Sequence, residues 1–252
     1  MAGKNRESET TGPRDGCAHR MPDPPTFKDY LPGEKYRDMF GEEYDGDIDG
    51  KLISKEPLYS NRPCDEDVER IIALYDGEVR ATDDDMGELL DVLKDKGLME
   101  NSVIIVMGDH GEQFYEHGNT SHHGLYEELL RVPMALNVPN GEKGVKVDRL
   151  VSGVDVIPMV LEHAGVESET KKSKVNDIVF AEYSGGAVED SFVGIGERYK
   201  YYYKESQGGV IFNLEEDPRE SRPMKDNFNE EMLEIKNTVE MKFENKFSKK
   251  SG

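Results

Sequence analysis

The stretch Val103-Ile-Ile-Val-Met107 runs directly into Gly108-Asp109-His110-Gly111-Glu112, and Glu116-His117-Gly118 follows closely. Five apolar and mostly β-branched residues predict a strand that is buried on both faces. An acid and an imidazole stand where this strand ends, and in open α/β sheets ligands bind at that carboxyl end. Four of the six histidines of the chain fall between positions 110 and 123. The stretch therefore predicts an α/β fold with part of a metal-assisted hydrolase site at the strand end.

The net charge of −21 over 252 residues limits the partners that we expect. A nucleic acid would meet a repulsive field instead of the basic surface that phosphate contact requires, so nucleic acid is excluded as a partner. Most of this charge is typical of a soluble, self-repelling protein. A smaller part of it can hold a divalent cation locally.

The length of apolar runs, the N-terminal residues and the number of cysteines together predict the cellular compartment of the protein. No run of about 18 or more apolar residues occurs, so we expect no membrane span. Residues 1–20 are polar and do not read as a secretory signal. Cys17 and Cys64 are too few for a disulfide framework, which favours reduced thiols and a cytoplasmic location. The oligomeric state is not predicted.

Composition divides the chain into three regions. Residues 1–64 are rich in proline and lack a periodic apolar pattern, which predicts an irregular or poorly ordered segment. Residues 65–185 alternate helical and strand patterns and are predicted as α/β structure. Residues 186–252 are predicted as an antiparallel subdomain that ends in a helix.

Apolar periodicity predicts the elements of the two later regions. Apolar residues recur at steps of three and four over 67–96, which predicts a long amphipathic helix with Asp83-Asp84-Asp85 on its solvated face. The other predicted helices span 125–130, 154–164 and 230–247, the last with Met232, Leu233, Ile235, Val239 and Phe243 facing inward. Predicted strands span 103–107, 132–138, 177–183, 192–195, 200–204 and 210–214.

The motifs around the Asp-His pair resemble those of the sulfatase family, which belongs to the alkaline-phosphatase-like superfamily. Asp-His-Gly-Glu, Glu-His-Gly and His-His-Gly-Leu-Tyr-Glu-Glu-Leu-Leu-Arg-Val-Pro follow one another in the order that this family shows. The resemblance extends over about residues 65 to 226. It includes Tyr75-Asp76-Gly77-Glu78-Val79-Arg80, Val151-Ser152-Gly153-Val154-Asp155-Val156-Ile157-Pro158 and Phe212-Asn213-Leu214-Glu215-Glu216-Asp217-Pro218-Arg219-Glu220.

The resemblance implies a fold and a site. The fold implied is a partial three-layer α/β/α sandwich, with a small antiparallel β-sheet and a C-terminal helix. Asp109 and His110 match the later pair of ligands for a divalent cation, most often Ca²⁺, with Mn²⁺ or Zn²⁺ as alternatives. His122 and His123 stand where the family places a Lys or His that touches the sulfate and its leaving oxygen. Spacing alone leaves open which of the two histidines faces the site. We expect His117 to shape the loop or to face solvent.

The activity that the resemblance implies is hydrolysis of a small-molecule or saccharide sulfate ester. The family makes its formylglycine nucleophile from a Cys/Ser-x-Pro/Ala-x-Arg motif, and neither Cys17 nor Cys64 fits that motif. No first strand with paired aspartates precedes residue 65. We therefore interpret the chain as the C-terminal half of a sulfatase, with little activity as given. Two alternatives remain: hydrolysis of phosphoryl or phosphonate esters, and an inactive remnant that serves as a binding module.

Overall fold

The computed structural model describes residues 30–41, 43–46, 48, 64–118, 120–167, 178–184 and 189–248. Most of the predicted irregular segment 1–64, including Cys17, lies outside these residues. The helices are α1 (Glu34–Arg37), α2 (Asp65–Asp95), α3 (Glu127–Leu130), α4 (Val156–His163) and α5 (Glu230–Ser248). The strands are β1 (Ile104–Met107), β2 (Gln113–Phe114), β3 (Thr120–Ser121), β4 (Met134–Asn137), β5 (Val179–Tyr183), β6 (Ser191–Ile195), β7 (Tyr199–Lys204) and β8 (Gly208–Asn213).

The long helix α2 confirms the helix predicted at 67–96, but only part of its apolar face is buried. Val68, Ile71 and Leu74 are buried, whereas Val79 and Leu89 are 52% and 53% exposed. Apolar periodicity identifies the face of a helix that can be buried, and it does not show how far a partner covers that face. Among the described residues, no helix is both long enough and apolar enough to cross a membrane.

Two compact units divide the chain. The first contains residues 1–86 and 118–121, and the second contains 87–117 and 122–252. Within the first unit, Asp84 accepts hydrogen bonds from Lys35 Nζ at 2.7 Å and from the Tyr36 hydroxyl at 2.9 Å. These bonds, that from Lys35 above all, lower the pKa of Asp84 to about 2. Asp84 is thus engaged with α1, and the prediction that it only faces solvent is wrong.

Cys64 directly precedes α2 and is disulfide-bonded. The expectation of reduced thiols is therefore wrong for this residue. A count of cysteines cannot predict a bond that depends on how close two sulfur atoms lie in space. The cellular location stays a prediction.

In the second unit, β1 pairs antiparallel with β4, with Ile104 opposite Asn137 and Met107 opposite Met134. The strand prediction is confirmed, but burial on both faces is not. Residues 104–106 are half-buried and Met107 is 38% exposed. An apolar run shows what a strand could bury, whereas its neighbours in space decide what it does bury.

The C-terminal part is a four-stranded antiparallel sheet with the order β5-β6-β7-β8. Strand β5, predicted within the α/β region 65–185, pairs with β6, with Ala181 opposite Val193. The predicted meander and terminal helix are confirmed. The ranges 1–64, 65–185 and 186–252 stay a prediction.

Helix α5 packs against this sheet. Ile235 and Val239 are each 1% exposed. A Cβ atom at Gly194 of β6 would lie 2.7 Å from Val239 and 2.9 Å from Ile235, so the absence of a side chain there permits the close approach. Of the residues predicted to face inward, Leu233 does not, because it is 43% exposed.

Substitution of Ile235 tests this packing. We expect Ile235→Ala to lower the free energy of unfolding by about 2–5 kcal/mol, because it opens a cavity between α5 and the sheet. The matched control Leu233→Ala, on the same helix, should change it by about 0.5 kcal/mol or less. Urea denaturation followed by circular dichroism measures both values, and equal losses would contradict the observed helix orientation.

Candidate active site

The turn that follows β1 carries Asp109 and His110, and Gly111 holds it against α3. The Gly111 N–H donates a hydrogen bond to the Leu129 carbonyl oxygen at 2.9 Å. A Cβ atom at Gly111 would lie 1.8 Å from the Glu128 carbonyl oxygen, so any other residue would force the two backbones apart. The position of the Asp-His pair therefore depends on where α3 lies.

Asp109 and His110 direct their polar atoms toward each other at the surface. The Asp109 side chain is 91% exposed, and its Oδ2 lies 3.7 Å from His110 Nε2. His110 Nδ1 lies 2.9 Å from the Gly111 carbonyl oxygen. A carbonyl oxygen only accepts, so Nδ1 carries the proton in the neutral ring and Nε2 keeps its lone pair. One carboxylate oxygen and one imidazole nitrogen thus lie close enough together to contact the same cation.

His122 lies beside this pair. Its ring stacks on that of His110 with centroids 4.5 Å apart and an interplanar angle of 29°. The His122 ring also contacts a carboxylate. Its Nδ1 lies 3.8 Å from Oε1 of Glu112, whose side chain is only 5% exposed. A buried carboxylate next to Nδ1 favours an orientation in which Nε2 points away from Glu112.

His123 takes part in a different contact. Its Nδ1 lies 3.2 Å from the hydroxyl oxygen of Tyr183 on β5. The His122 and His123 rings are 5.3 Å apart and are tilted by 47°. The structure thus brings Asp109, His110 and His122 into one cluster, and it places His123 at the edge of that cluster against the C-terminal sheet.

Lys200, Glu127 and Glu220 form a buried ion triad at the start of α3. Lys200 on β7 is fully buried, and its Nζ lies 3.1 Å from Glu127 Oε1 and 2.9 Å from Glu220 Oε1. Glu220 Oε2 also accepts a hydrogen bond of 2.6 Å from the Glu127 backbone N–H at the start of α3. Burial raises the pKa of Glu220, although Lys200 opposes that shift. One ammonium group thus joins the sheet, the helix and the segment that follows β8.

The sequence patterns do not predict the roles of three residues of this region. Glu112 belongs to the quoted motif, but spacing does not show that its carboxylate is buried beside His122. Tyr183 and Lys200 lie on predicted strands, where alternation predicts an apolar or a solvated side chain. Only the strand pairing brings these two residues to the histidines and to α3.

The fold of the chain resembles those of several solved structures. A protein solved in complex with its substrate D-glucosamine-2-N,6-O-disulfate matches with a TM-score of 0.60 and 20% identity, over 73% of this chain and 43% of that one. The phosphonate monoester hydrolase of Agrobacterium radiobacter matches with a TM-score of 0.54 and 22% identity, over 63% of this chain and 38% of that one. The TM-scores show a shared fold. The predicted partial α/β class is therefore confirmed.

A family model described as Sulfatase matches residues 19–166, which is more than half of the chain. The chain therefore belongs to the sulfatase family. Human arylsulfatase K is 28% identical over 178 residues, which cover 61% of this chain and 33% of that protein. The chain thus spans about a third of the length of this curated relative.

The ion triad can be tested by removing its cation. We expect Lys200→Met to lower the free energy of unfolding by about 3–5 kcal/mol, because two carboxylates then lack their buried counter-ion. The loss should shrink as the pH falls, since Glu220, with its raised pKa, binds a proton more readily in the folded state than in the unfolded state.

The double variant Lys200→Met/Glu220→Gln serves as the control, because it removes one of the stranded charges and should recover part of the stability. Urea denaturation at several pH values measures these differences. A pH-independent loss, or no recovery in the double variant, would contradict the charge argument.

Proposed function

We propose that this chain carries the later half of a sulfatase cation site and that the site acts on sulfate esters of small molecules or saccharides. The observation that carries this proposal is the pair of ligand atoms at the end of β1, Asp109 Oδ2 and His110 Nε2, which lie 3.7 Å apart. The membership of the chain in the sulfatase family supports it.

The residues present fit a hard divalent cation. Two atoms that are each about 2.3–2.6 Å from one Ca²⁺ can be 3.7 Å apart. The Gly111 carbonyl oxygen holds the proton on His110 Nδ1, so Nε2 remains available to the ion. A cation held here polarises the ester oxygens of a bound sulfate. Mn²⁺ and Zn²⁺ also accept this mixture of carboxylate and imidazole.

His122 is the histidine that we assign to proton donation, with His123 as its neighbour at the edge of the site. His122 stacks on His110, so its ring is next to the proposed cation ligands. An imidazole can protonate a leaving oxygen near neutral pH. His123 instead meets the Tyr183 hydroxyl, which favours a positioning role for that pair.

The chain by itself offers an incomplete set of catalytic groups. Its sequence has no Cys or Ser in the Cys/Ser-x-Pro/Ala-x-Arg pattern from which sulfatases make their nucleophile. Two ligands also hold Ca²⁺ weakly, because affinity rises with the number and charge of the ligands. We therefore propose that this chain corresponds to the C-terminal half of a sulfatase and that it hydrolyses esters slowly, if at all, on its own.

Phosphonate or phosphoryl ester hydrolysis is the second candidate activity. The phosphonate monoester hydrolase among the structural neighbours favours it. The third candidate is a catalytically inactive remnant that binds a sulfated ligand, and the missing nucleophile motif favours it. Ester hydrolysis assays and cation-binding measurements distinguish these three candidates.

Cation binding and turnover test the proposed site. We expect Mn²⁺ to bind at this pair with a dissociation constant of about 1 mM, as befits two ligands, and Asp109→Asn to remove this weak equivalent without changing any tighter one. The control is Asp148→Asn, an exposed acid that pairs only with Lys146 among the described residues. Mn²⁺-enhanced water relaxation measures binding, and aryl sulfate and aryl phosphate assays with Ca²⁺ or Mn²⁺ measure turnover.

Retention of the weak Mn²⁺ equivalent by Asp109→Asn would overturn the site. Aryl phosphate turnover without aryl sulfate turnover would favour the second candidate. Cation binding without turnover of either ester would favour the inactive remnant.

The assignment of His122 can be tested without turnover. When inorganic sulfate is titrated into the Ca²⁺-loaded chain, we expect the imidazole ¹⁵N resonances of His122 to shift more than those of His123, because only His122 lies beside His110. Tyr183→Phe is the matched control, since it frees His123 and leaves His122 in place. A larger response at His123 in the wild type would reverse the two roles.

A further inference from the structure

A second group of possible metal ligands lies away from the Asp109–His110 pair. It consists of His117 in the loop after β2, Glu128 on α3 and Glu220 after β8. Each residue offers one ligand atom, and these atoms lie within 4.8 Å of one another. We propose that this His117–Glu128–Glu220 cluster binds a structural divalent cation of the Zn²⁺ class, a site independent of the proposed hydrolase function.

The distances in the cluster suit one small ion. His117 Nε2 lies 3.5 Å from Glu128 Oε1. Zn²⁺ holds nitrogen and oxygen ligands at about 2.0–2.2 Å, so two ligand atoms on a tetrahedral ion are about 3.4 Å apart. The His117–Glu128 pair already has this spacing, and the Glu220 ligand atom lies within 4.8 Å of both.

The His117 Nε2 atom makes a long contact in a largely buried place. The side chain is only 11% exposed, and Nε2 lies 3.5 Å from Glu128 Oε1, which is longer than an ordinary hydrogen bond. A cation between Nε2 and the carboxylates would bind this nitrogen more closely.

Neighbouring residues hold the ligands in place, as outer residues do around metal sites. The His117 ring stacks on Tyr126 with centroids 3.5 Å apart and an angle of 6°, which fixes the ring plane. The fully buried Gln113 donates a hydrogen bond from Nε2 to Glu128 Oε1 at 2.7 Å. The ligands are thus oriented before any ion binds.

The charge of the region also favours a cation. Glu127, Glu128 and Glu220 contribute three negative charges, while Lys200 contributes one positive charge through its contacts with Glu127 and Glu220. The carboxylates thus outnumber the ammonium group, and His117 is the other side chain that faces Glu128. A divalent cation would offset this excess of carboxylates.

The ligand set selects the class of ion. These three ligands nearly fill the four-coordinate shell of Zn²⁺, whereas they fall well short of the six to eight ligands that Ca²⁺ takes. The Asp109 side chain is almost fully exposed, whereas the cluster ligands are half-buried or buried. The two sites should therefore differ in affinity, with the tighter Zn²⁺ binding at the buried cluster.

Zn²⁺ titration of the full chain tests the cluster, with the Asp109→Asn/His110→Ala double variant as the background that removes the surface pair. We expect this background to bind one tight equivalent of Zn²⁺ by isothermal titration calorimetry. Adding His117→Ala or the isosteric Glu128→Gln should weaken that equivalent by about 100-fold or more, and Gln113→Ala by about 10–100-fold. His163→Ala, an exposed histidine on α4, is the matched control and should leave it unchanged.

A spectroscopic measurement on the unsubstituted chain identifies the Zn²⁺ ligands directly, so that misfolding of a variant cannot be mistaken for loss of a ligand. In the otherwise unsubstituted chain, substoichiometric Zn²⁺ should shift the imidazole resonances of His117 before those of His122 or His123. Zn²⁺ should also raise the melting temperature relative to the chelator-treated protein.

Retention of the tight equivalent in both His117→Ala and Glu128→Gln would overturn the proposal, as would its absence from the background. Loss of Mn²⁺ binding at Asp109 with the tight Zn²⁺ equivalent intact would leave the cluster supported. That result separates this inference from the proposed function.

Discussion

The buried contact between Lys200 and the two carboxylates of Glu127 and Glu220 supports the arrangement of the whole site. Its ammonium group joins β7 to the start of α3, where Glu220 also accepts the Glu127 backbone N–H. Helix α3 in turn holds the Asp-His turn, because the Gly111 N–H donates to the Leu129 carbonyl oxygen. The antiparallel C-terminal sheet thus positions, through two polar contacts, the turn that carries Asp109 and His110 and that follows a strand of a different sheet.

The histidines of the chain occupy different chemical environments within a short stretch of sequence. His110 is paired with an exposed carboxylate, so the proposed cation there would be open to solvent. His117 stacks on Tyr126 and lies beside two carboxylates, where it is mostly buried. His122 connects the surface pair to the buried Glu112. Because these histidines lie close together in the sequence, their positions do not distinguish their expected roles. The burial of each side chain does.

Much of the fold follows from local patterns. The helix at α2, the strand at β1 and the C-terminal meander are recognisable because apolar residues repeat with the period of each element. Burial was harder to predict: Leu233 is exposed and Met107 lies at the surface although both patterns place them inward. The partners of β1 and β5 are also not evident from periodicity: β1 pairs antiparallel with β4, and β5 joins the C-terminal sheet. Strand order depends on contacts between distant residues, which periodicity does not encode.

The sequence by itself determined the family and the candidate residues, because Asp109, His110, His122 and His123 stand in a motif order that is specific to sulfatases. Only the tertiary structure decided which histidine meets His110 and which meets Tyr183, and that His117 faces two carboxylates instead of solvent. The physical reason is that β5, β7 and the segment after β8 each contribute one side chain from far along the chain. Their distances to the histidines are set by strand pairing and by the buried Lys200, and not by spacing in the sequence.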